Sequence, residues 1–276
     1  MNSRNVAKYL LPPILLEGLR VIQSRHEQDA GLSGDYNSWN EAQQASTGYD
    51  AELILEKTKA ALLKVKNGEA IYERDSVLFN EIQYTWPLLA GLMWVAAQSG
   101  GRLNVLDFGG SLGSTYFQNR AFLQNLPEIQ WNIIEQPAHV KVGKKYFEDE
   151  ILKFFPDIKQ CLSETKPNVI VLGSVLQYLE KPYSVLNKLL DLPVHTVIID
   201  RTSFLEGPTD RLCVQKVPPD IYPASYPIWI FSEQQFIHYI QKRNFEIITE
   251  FQSLDLLKAP VHAVWKGMIL ERKKSF

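Results

Sequence analysis

Apolar residues follow two rhythms along this chain, and the change comes near residue 100. Before it the spacing is helical. Residues 5–25 set Val6, Leu10, Ile14, Leu15, Leu19 and Ile22 close to helical spacing, broken at Pro12-Pro13. Two readings fit: a helix docked on the main domain, or a surface helix touching a membrane with Lys8, Arg20 and Arg25 on its edge. The short length and sparse cationic face favour docking. Residues 31–49 are rich in turn formers, and Tyr36, Trp39 and Tyr49 there either wall a pocket or pin a loop to the core. Residues 51–65 predict an amphipathic helix, and residues 86–97, nearly all apolar, a buried one that stops at Gly100-Gly101. Between them Tyr72, Arg74 and Asp75 come together just before the next helix. Residues 1–100 therefore read as a helical appendage or cap.

From residue 101 onward short apolar runs alternate with helical stretches, the pattern of an α/β sheet domain over residues 101–276. A strand beginning at Leu103 runs into a glycine turn and a helix over residues 115–124. Residues 131–135 read as the second strand, followed by a helix over 138–148. Residues 152–155 read as the third, 168–172 as a buried fourth and 194–200 as the fifth. Ser232 suits the N-cap of a helix over 233–242, and residues 245–251 and 266–271 form a closing hairpin. Residues 206–231 stand apart, rich in proline, with no helical periodicity. They read as a functional loop or as a hairpin that only packs.

Composition narrows the classes. The 276 residues are 45% hydrophobic and 22% charged with a net charge of −2, so no basic footprint marks a nucleic-acid partner. Cys161 and Cys213 lack disulfide-framework or metal spacing and read as small core residues in a reducing compartment. No apolar run reaches membrane-spanning length and no secretory signal with a cleavage site is evident, so a cytoplasmic protein is expected.

Candidate chemistry concentrates in LNVLDFGGSLG, residues 103–113. A strand, a glycine turn and a helix make a nucleotide cradle. The glycines let a ligand approach the main chain, and the helix start offers unpaired N–H groups. A P-loop would need G-x-x-x-x-G-K-[ST], which is absent. A dinucleotide fingerprint counted from Gly109 would need glycine where Ser111 and Ser114 stand. The S-adenosylmethionine (SAM) pattern, two hydrophobic residues then D-x-G-x-G-x-G, is met by Asp107, Gly109 and Gly113. Ser111 holds the middle glycine place, with Gly110 just before it. An acid at the strand end suits the ammonium and sulfonium of SAM and would repel a diphosphate. Asp107, Phe108, Gly109, Gly110 and Gly113 are accordingly candidate cofactor contacts.

Further candidates follow from the strand ends, because ligands of open parallel sheets bind outside the carboxyl ends of the strands. Glu135 lies 22 residues after Gly113, where an acid grips ribose hydroxyls, and Gln136 adjoins it. Asp157 either meets the adenine amine or caps the following helix. Gly173 and Ser174, in the turn after the fourth strand, are expected under the methionine part, with Gln177 and Tyr178 then facing the reaction centre, unless Tyr178 packs against a helix. Asp200 and Arg201 are substrate contacts or a local ion pair. Arg211, Tyr222 and Trp229 are candidate substrate contacts in the proline-rich stretch. Asp200, Tyr226 and His262 are candidate bases or orienters, although a lone histidine such as His262 is more often structural.

LNVLDFGGSLG, WNIIEQP, NVIVLGSVLQYLE, TVIIDRT and VQKVPPDIYPASYPIWIFS together resemble a family of bacterial SAM-dependent methyltransferases whose members tend to accompany surface-polysaccharide gene clusters. WNEA, TGYD and YERD upstream are similar too, so the likeness covers most of the chain. The resemblance implies a class I methyltransferase fold of Rossmann-like type, with SAM as cofactor. Such a fold has a seven-stranded sheet, mostly parallel with an antiparallel last strand, here preceded by the helical appendage. By position Gly109, Gly110, Gly113 and Glu135 carry over as cofactor contacts, while Ser111 departs from the general glycine pattern.

The expected activity is methyl transfer from SAM to a hydroxyl or amine of a small molecule, with a saccharide or sugar nucleotide among the acceptors. The sulfonium is already activated, so the protein must align and desolvate the acceptor and, for a hydroxyl, take its proton. No His/Cys/Asp cluster has metal spacing, and metal-independent chemistry is expected. Two rivals remain. An NAD-dependent sugar-nucleotide enzyme of short-chain type would need Tyr-x-x-x-Lys, but Tyr183 is followed by Asn187, with Lys188 one place late. The other is a non-catalytic SAM-binding or scaffold protein.

Overall fold

The computed structural model describes residues 31–48, 51–218, 221, 223–253 and 262–273. The helix expected over residues 5–25, together with Tyr49 and Tyr222, lies outside them. The chain begins with β1 (Gly31–Ser33), α1 (Trp39–Gln44), α2 (Ala51–Lys66), a hairpin of β2 (Tyr72–Arg74) and β3 (Val77–Phe79), and α3 (Trp86–Gln98). Strands and helices then alternate through β4 (Arg102–Phe108), α4 (Ser114–Leu123), β5 (Glu128–Ile134), α5 (Pro137–Tyr146), β6 (Leu152–Phe155) and α6 (Ile158–Glu164). They continue through β7 (Val169–Gly173), α7 (Pro182–Leu190) and β8 (Thr196–Leu205). Next come β9 (Arg211–Lys216), β10 (Ser225–Ser232), α8 (Glu233–Lys242), β11 (Phe245–Gln252) and β12 (Ala263–Arg272).

The central strands lie in the order β6-β5-β4-β7-β8-β12-β11. The first five are mutually parallel, and β12 is antiparallel to both of its neighbours. Numbered among themselves along the chain, they read 3-2-1-4-5-7-6, the class I methyltransferase arrangement that the resemblance implies. Runs such as NVIVL are apolar throughout because both faces of these strands are covered. Side chains alternate between two buried clusters. Val105, Ile133, Val171 and Ile198 face α2–α5, while Leu106, Ile134, Ile170, Leu172 and Ile199 face α6–α8. Cys161 and Cys213 are free and buried, as expected of small core residues.

Three local expectations change, and one open alternative is decided. β8 does not stop at Asp200 but runs on to Leu205, past a bulge where Arg201 takes a left-handed φ of +54° opposite Gly267. The proline-rich stretch is the packing hairpin rather than a loop: β9 and β10 pair antiparallel, with most of the prolines in their connection. The turn-rich stretch before residue 49 holds β1, which pairs antiparallel with β9, and α1, capped by Ser38. Residues 72–79 form a hairpin instead of leading straight into a helix. Together β1, β9 and β10 widen the sheet to ten strands among the described residues. No helix among these residues is long and apolar enough to cross a membrane.

Candidate functional site

β4 ends at Phe108, and the chain turns through Gly109, Gly110, Ser111, Leu112 and Gly113 into α4. Gly109 and Gly113 have φ of +75° and +103°, and Ser111 between them is also left-handed at +53°. The turn is tied down by Gly109 N–H donating to Ile134 O at 2.9 Å and Gly113 N–H to Gly110 O at 3.0 Å. Gly110 is required for another reason: a Cβ there would lie 2.4 Å from Asp107 Oδ2. Gly110→Ala is therefore expected to cost about 2 kcal/mol of stability, read from the midpoint of chemical denaturation, as the loop is pushed off the carboxyl.

Asp107 lies beneath the loop. It is 1% exposed, and Trp131 Nε1–H donates to its Oδ2 at 2.9 Å. Burial pushes its pKa up to about 7, against the opposing effect of the Trp131 bond. Its carboxyl therefore meets an indole in this structure. Glu135 stands half-buried at the end of β5, on the rim. Its Oε1 accepts from Ser111 N–H at 3.2 Å and its Oε2 from Gln136 N–H at 2.8 Å. Asp157 is exposed, and its Oδ1 accepts from Gln160 N–H at 2.8 Å, which makes it the cap of α6.

The same edge continues through β7 and β8. Gly173 ends β7, and Ser174 donates its N–H to Asp200 O at 3.0 Å. Gln177 is fully buried in the 3₁₀ turn that follows. Its Nε2 donates to Arg201 O at 2.8 Å, and its Oε1 has no hydrogen-bond partner among the described residues. Asp200 is buried too, its Oδ1 accepting from Arg201 N–H at 2.8 Å and Ser253 O–H at 3.0 Å. Arg201 pairs with Asp75 of the β2–β3 turn, so the ion pair is long-range rather than local to the strand end.

That pairing brings in a group that sequence reasoning missed. Glu73, on β2, is 1% exposed and accepts from Ser114 O–H at 2.6 Å and Ser76 N–H at 2.7 Å. Burial raises its pKa to about 7 in spite of both bonds. Beside it Gln118 Nε2 donates to the Tyr72 phenolic Oη at 3.1 Å, and burial pushes that phenol up to about 12. Asp75, Ser76, Ser111, Ser174 and Arg201 all take left-handed φ, between +52° and +70°. All five lie on this edge or in the hairpin facing it. Such conformations cost free energy and gather at ligand clamps.

The remaining candidates are not brought to the loop. Tyr178 donates its O–H to Gln215 Oε1 at 2.9 Å and meets the Tyr226 ring edge-on at 5.5 Å, forming a second polar–aromatic group. Trp229 serves packing: its Nε1 donates to Leu179 O at 3.1 Å and it stacks on Trp39 at 6.4 Å. Arg211 pairs with Asp35 at 3.1 Å. Arg211 and His262 share an open cleft with Asp35 and Asp210. His262 adjoins Ala263, which pairs with Leu205, so it lies on the order of 17 Å along β8 from Asp200. Two open clefts lie at that far end of β8.

Comparison with known proteins adds to this geometry. No protein-family model matches the chain, and no curated protein matches it. Solved structures with similar chain course include a 1,6-didemethyltoxoflavin-N1-methyltransferase from Burkholderia thailandensis, at 12% identity and TM-score 0.40 over 88% of this chain and 94% of that one. The N-terminal domain of EvdMO1 aligns at 11% identity and TM-score 0.47 over 82% of this chain and 98% of its own. A magnesium protoporphyrin IX methyltransferase from Synechocystis PCC 6803 aligns at 13% identity and TM-score 0.44, covering 82% of this chain and 99% of that chain.

Proposed function

We propose that this chain is a SAM-dependent methyltransferase acting on a hydroxyl or amine of a small molecule, with a saccharide or sugar nucleotide as the favoured acceptor class. The observation that carries the reading is the carboxylate of Glu135, bonded at 3.2 Å to the main chain of a glycine loop on the neighbouring parallel strand. The donor set fits SAM. The side chains that hydrogen-bond to residues 109–114 among those described are the carboxyls of Glu135 and Glu73, and Asp107 lies directly beneath. Glu135, joined above about pH 7 by Glu73 and Asp107, carries negative charge that would repel a pyrophosphate and does not repel a cation.

When bound, SAM supplies a methyl group already activated on a sulfonium. Glu135 and Gln136 would hold the ribose, and the main chain of residues 109–111 would line the adenosyl part. Gln177 Oε1, a buried acceptor awaiting a donor, suits an N–H or O–H of the ligand. Asp200 is the favoured base for a hydroxyl acceptor: its Oδ1 is held at the edge by Arg201 and Ser253. A sugar acceptor would lie toward the polar–aromatic pair of Tyr178 and Tyr226.

The first test is thermal. SAM and its demethylated product, S-adenosylhomocysteine (SAH), should each raise the melting temperature by several degrees, since saturation at about 100 times Kd contributes roughly 2.7 kcal/mol. NAD should leave it unchanged. A shift with NAD alone would overturn the reading. Formation of SAH on adding an acceptor then separates an enzyme from a binding scaffold.

A further inference from the structure

We propose that Glu73 is the specificity-determining acid of the glycine-loop site, favouring a cationic ligand there over a neutral one of nearly the same shape. The inference rests on reading the site as a SAM site, and it assigns the discrimination between donor and product to one side chain. SAM and SAH differ by a methyl group and one positive charge on sulfur.

The placement of Glu73 is built by separate elements. From α4, Ser114 O–H donates to Glu73 Oε2 at 2.6 Å and Gln118 Nε2 to Tyr72 Oη at 3.1 Å. From β8, Arg201 pairs with Asp75. Within the hairpin, Ser76 N–H donates to Glu73 Oε1 at 2.7 Å, and Asp75 and Ser76 both take left-handed φ. From α2, Thr58 bonds the Ser76 hydroxyl at 2.8 Å. The hairpin is thus clamped over the loop, with the carboxyl one hydrogen bond from the residue that follows Gly113. Asp107, beneath the loop at Gly110, is already engaged by Trp131.

The electrostatics are lopsided. The charged and titratable groups facing Glu73 are Tyr72 and Asp75 on its own hairpin and Arg201 from β8, while α4 and α2 present only neutral Ser114, Gln118 and Thr58. Arg201 is shared with Asp75, and no lysine or arginine hydrogen-bonds to Glu73 among the described residues. Burial therefore dominates and holds the acid at a pKa of about 7. A sulfonium nearby supplies the missing counter-charge and favours the ionised form, whereas a neutral thioether does not. Preference for SAM over SAH should therefore grow as pH rises through 7.

Calorimetric titration of the full chain with SAM and with SAH at pH 6 and pH 8 tests this. For the wild type, the SAM preference should rise about tenfold between the two pH values. Glu73→Gln should flatten that rise while still binding both ligands. Asp107→Asn, which removes the other acid raised to about 7 and keeps Glu73, should retain the rise; if Glu73→Gln fails to fold, loss of the rise in Asp107→Asn overturns the proposal. A wild-type preference that does not change with pH overturns the role of Glu73 while leaving the SAM site intact. Equal weakening of both ligands in Glu73→Gln at both pH values also overturns it. Binding of neither ligand by the wild type would remove the SAM reading and this inference together.

Discussion

Glu135→Ala is expected to weaken SAM binding about 100-fold without unfolding the protein. A carboxylate that accepts two ligand hydroxyls makes two charge-assisted hydrogen bonds, each about 1.5 kcal/mol or more. Their loss is about 3 kcal/mol, which at 1.4 kcal/mol per decade is roughly two decades in Kd. The fold should tolerate the change because Glu135 is half-buried at a strand end and its own partners are the main-chain N–H groups of Ser111 and Gln136. Water can replace the carboxylate at both. Calorimetry checks the affinity and circular dichroism the fold. A variant that binds SAM within twofold of the wild type would take Glu135 out of the site.

Asp107→Asn is expected to raise the melting temperature at pH 8 by on the order of 5 °C and to flatten its dependence on pH. The sign follows from the native pKa, which burial raises from 3.8 to about 7. Between about pH 4 and 7 the native protein holds this proton while the unfolded chain has lost it. Stability therefore falls as pH rises through that window and levels off above it. Each pK unit corresponds to about 1.4 kcal/mol. Asparagine keeps an acceptor for Trp131 Nε1–H but does not ionise, so it escapes the loss. Glu73, raised to about 7 by burial, acts with the same sign, so some slope should remain. Asp107→Ala should behave differently, because it strands the buried Trp131 N–H and destabilises by about 1–3 kcal/mol. Thermal melts from pH 4 to 8 read all of this. An Asp107→Asn protein that melts below the wild type at pH 8 would show that the ionised carboxylate is the stabilising form.

These two predictions divide the acids that looked alike in the sequence. Asp107 and Glu135 both end apolar strands beside a glycine turn. Which of them points outward depends on what the neighbouring strand places opposite. Val105 is in register with Trp131, and that pairing brings the indole to the Asp107 carboxyl. Glu135 has no such neighbour and reaches the loop main chain instead. Glu73 lies in YERD, where Tyr72, Arg74 and Asp75 drew notice and it did not; only the Ser114 bond from α4 brings it to the loop.

Local chemistry alone determined the strand-loop-helix cradle, the cap at Ser232 and the buried strands of the central sheet. Their signals are periodicity and turn propensity within a dozen residues. Only the tertiary structure decided that β8 runs past Asp200, that β9 and β10 extend the sheet, and that one hairpin joins Arg201 of β8, through Asp75, and Ser114 of α4, through Glu73. Those features depend on partners far apart in the chain, Gly31 with Lys216 and Asp75 with Arg201. Long-range pairing and burial are free energies of the whole packed chain, and no window of sequence contains them.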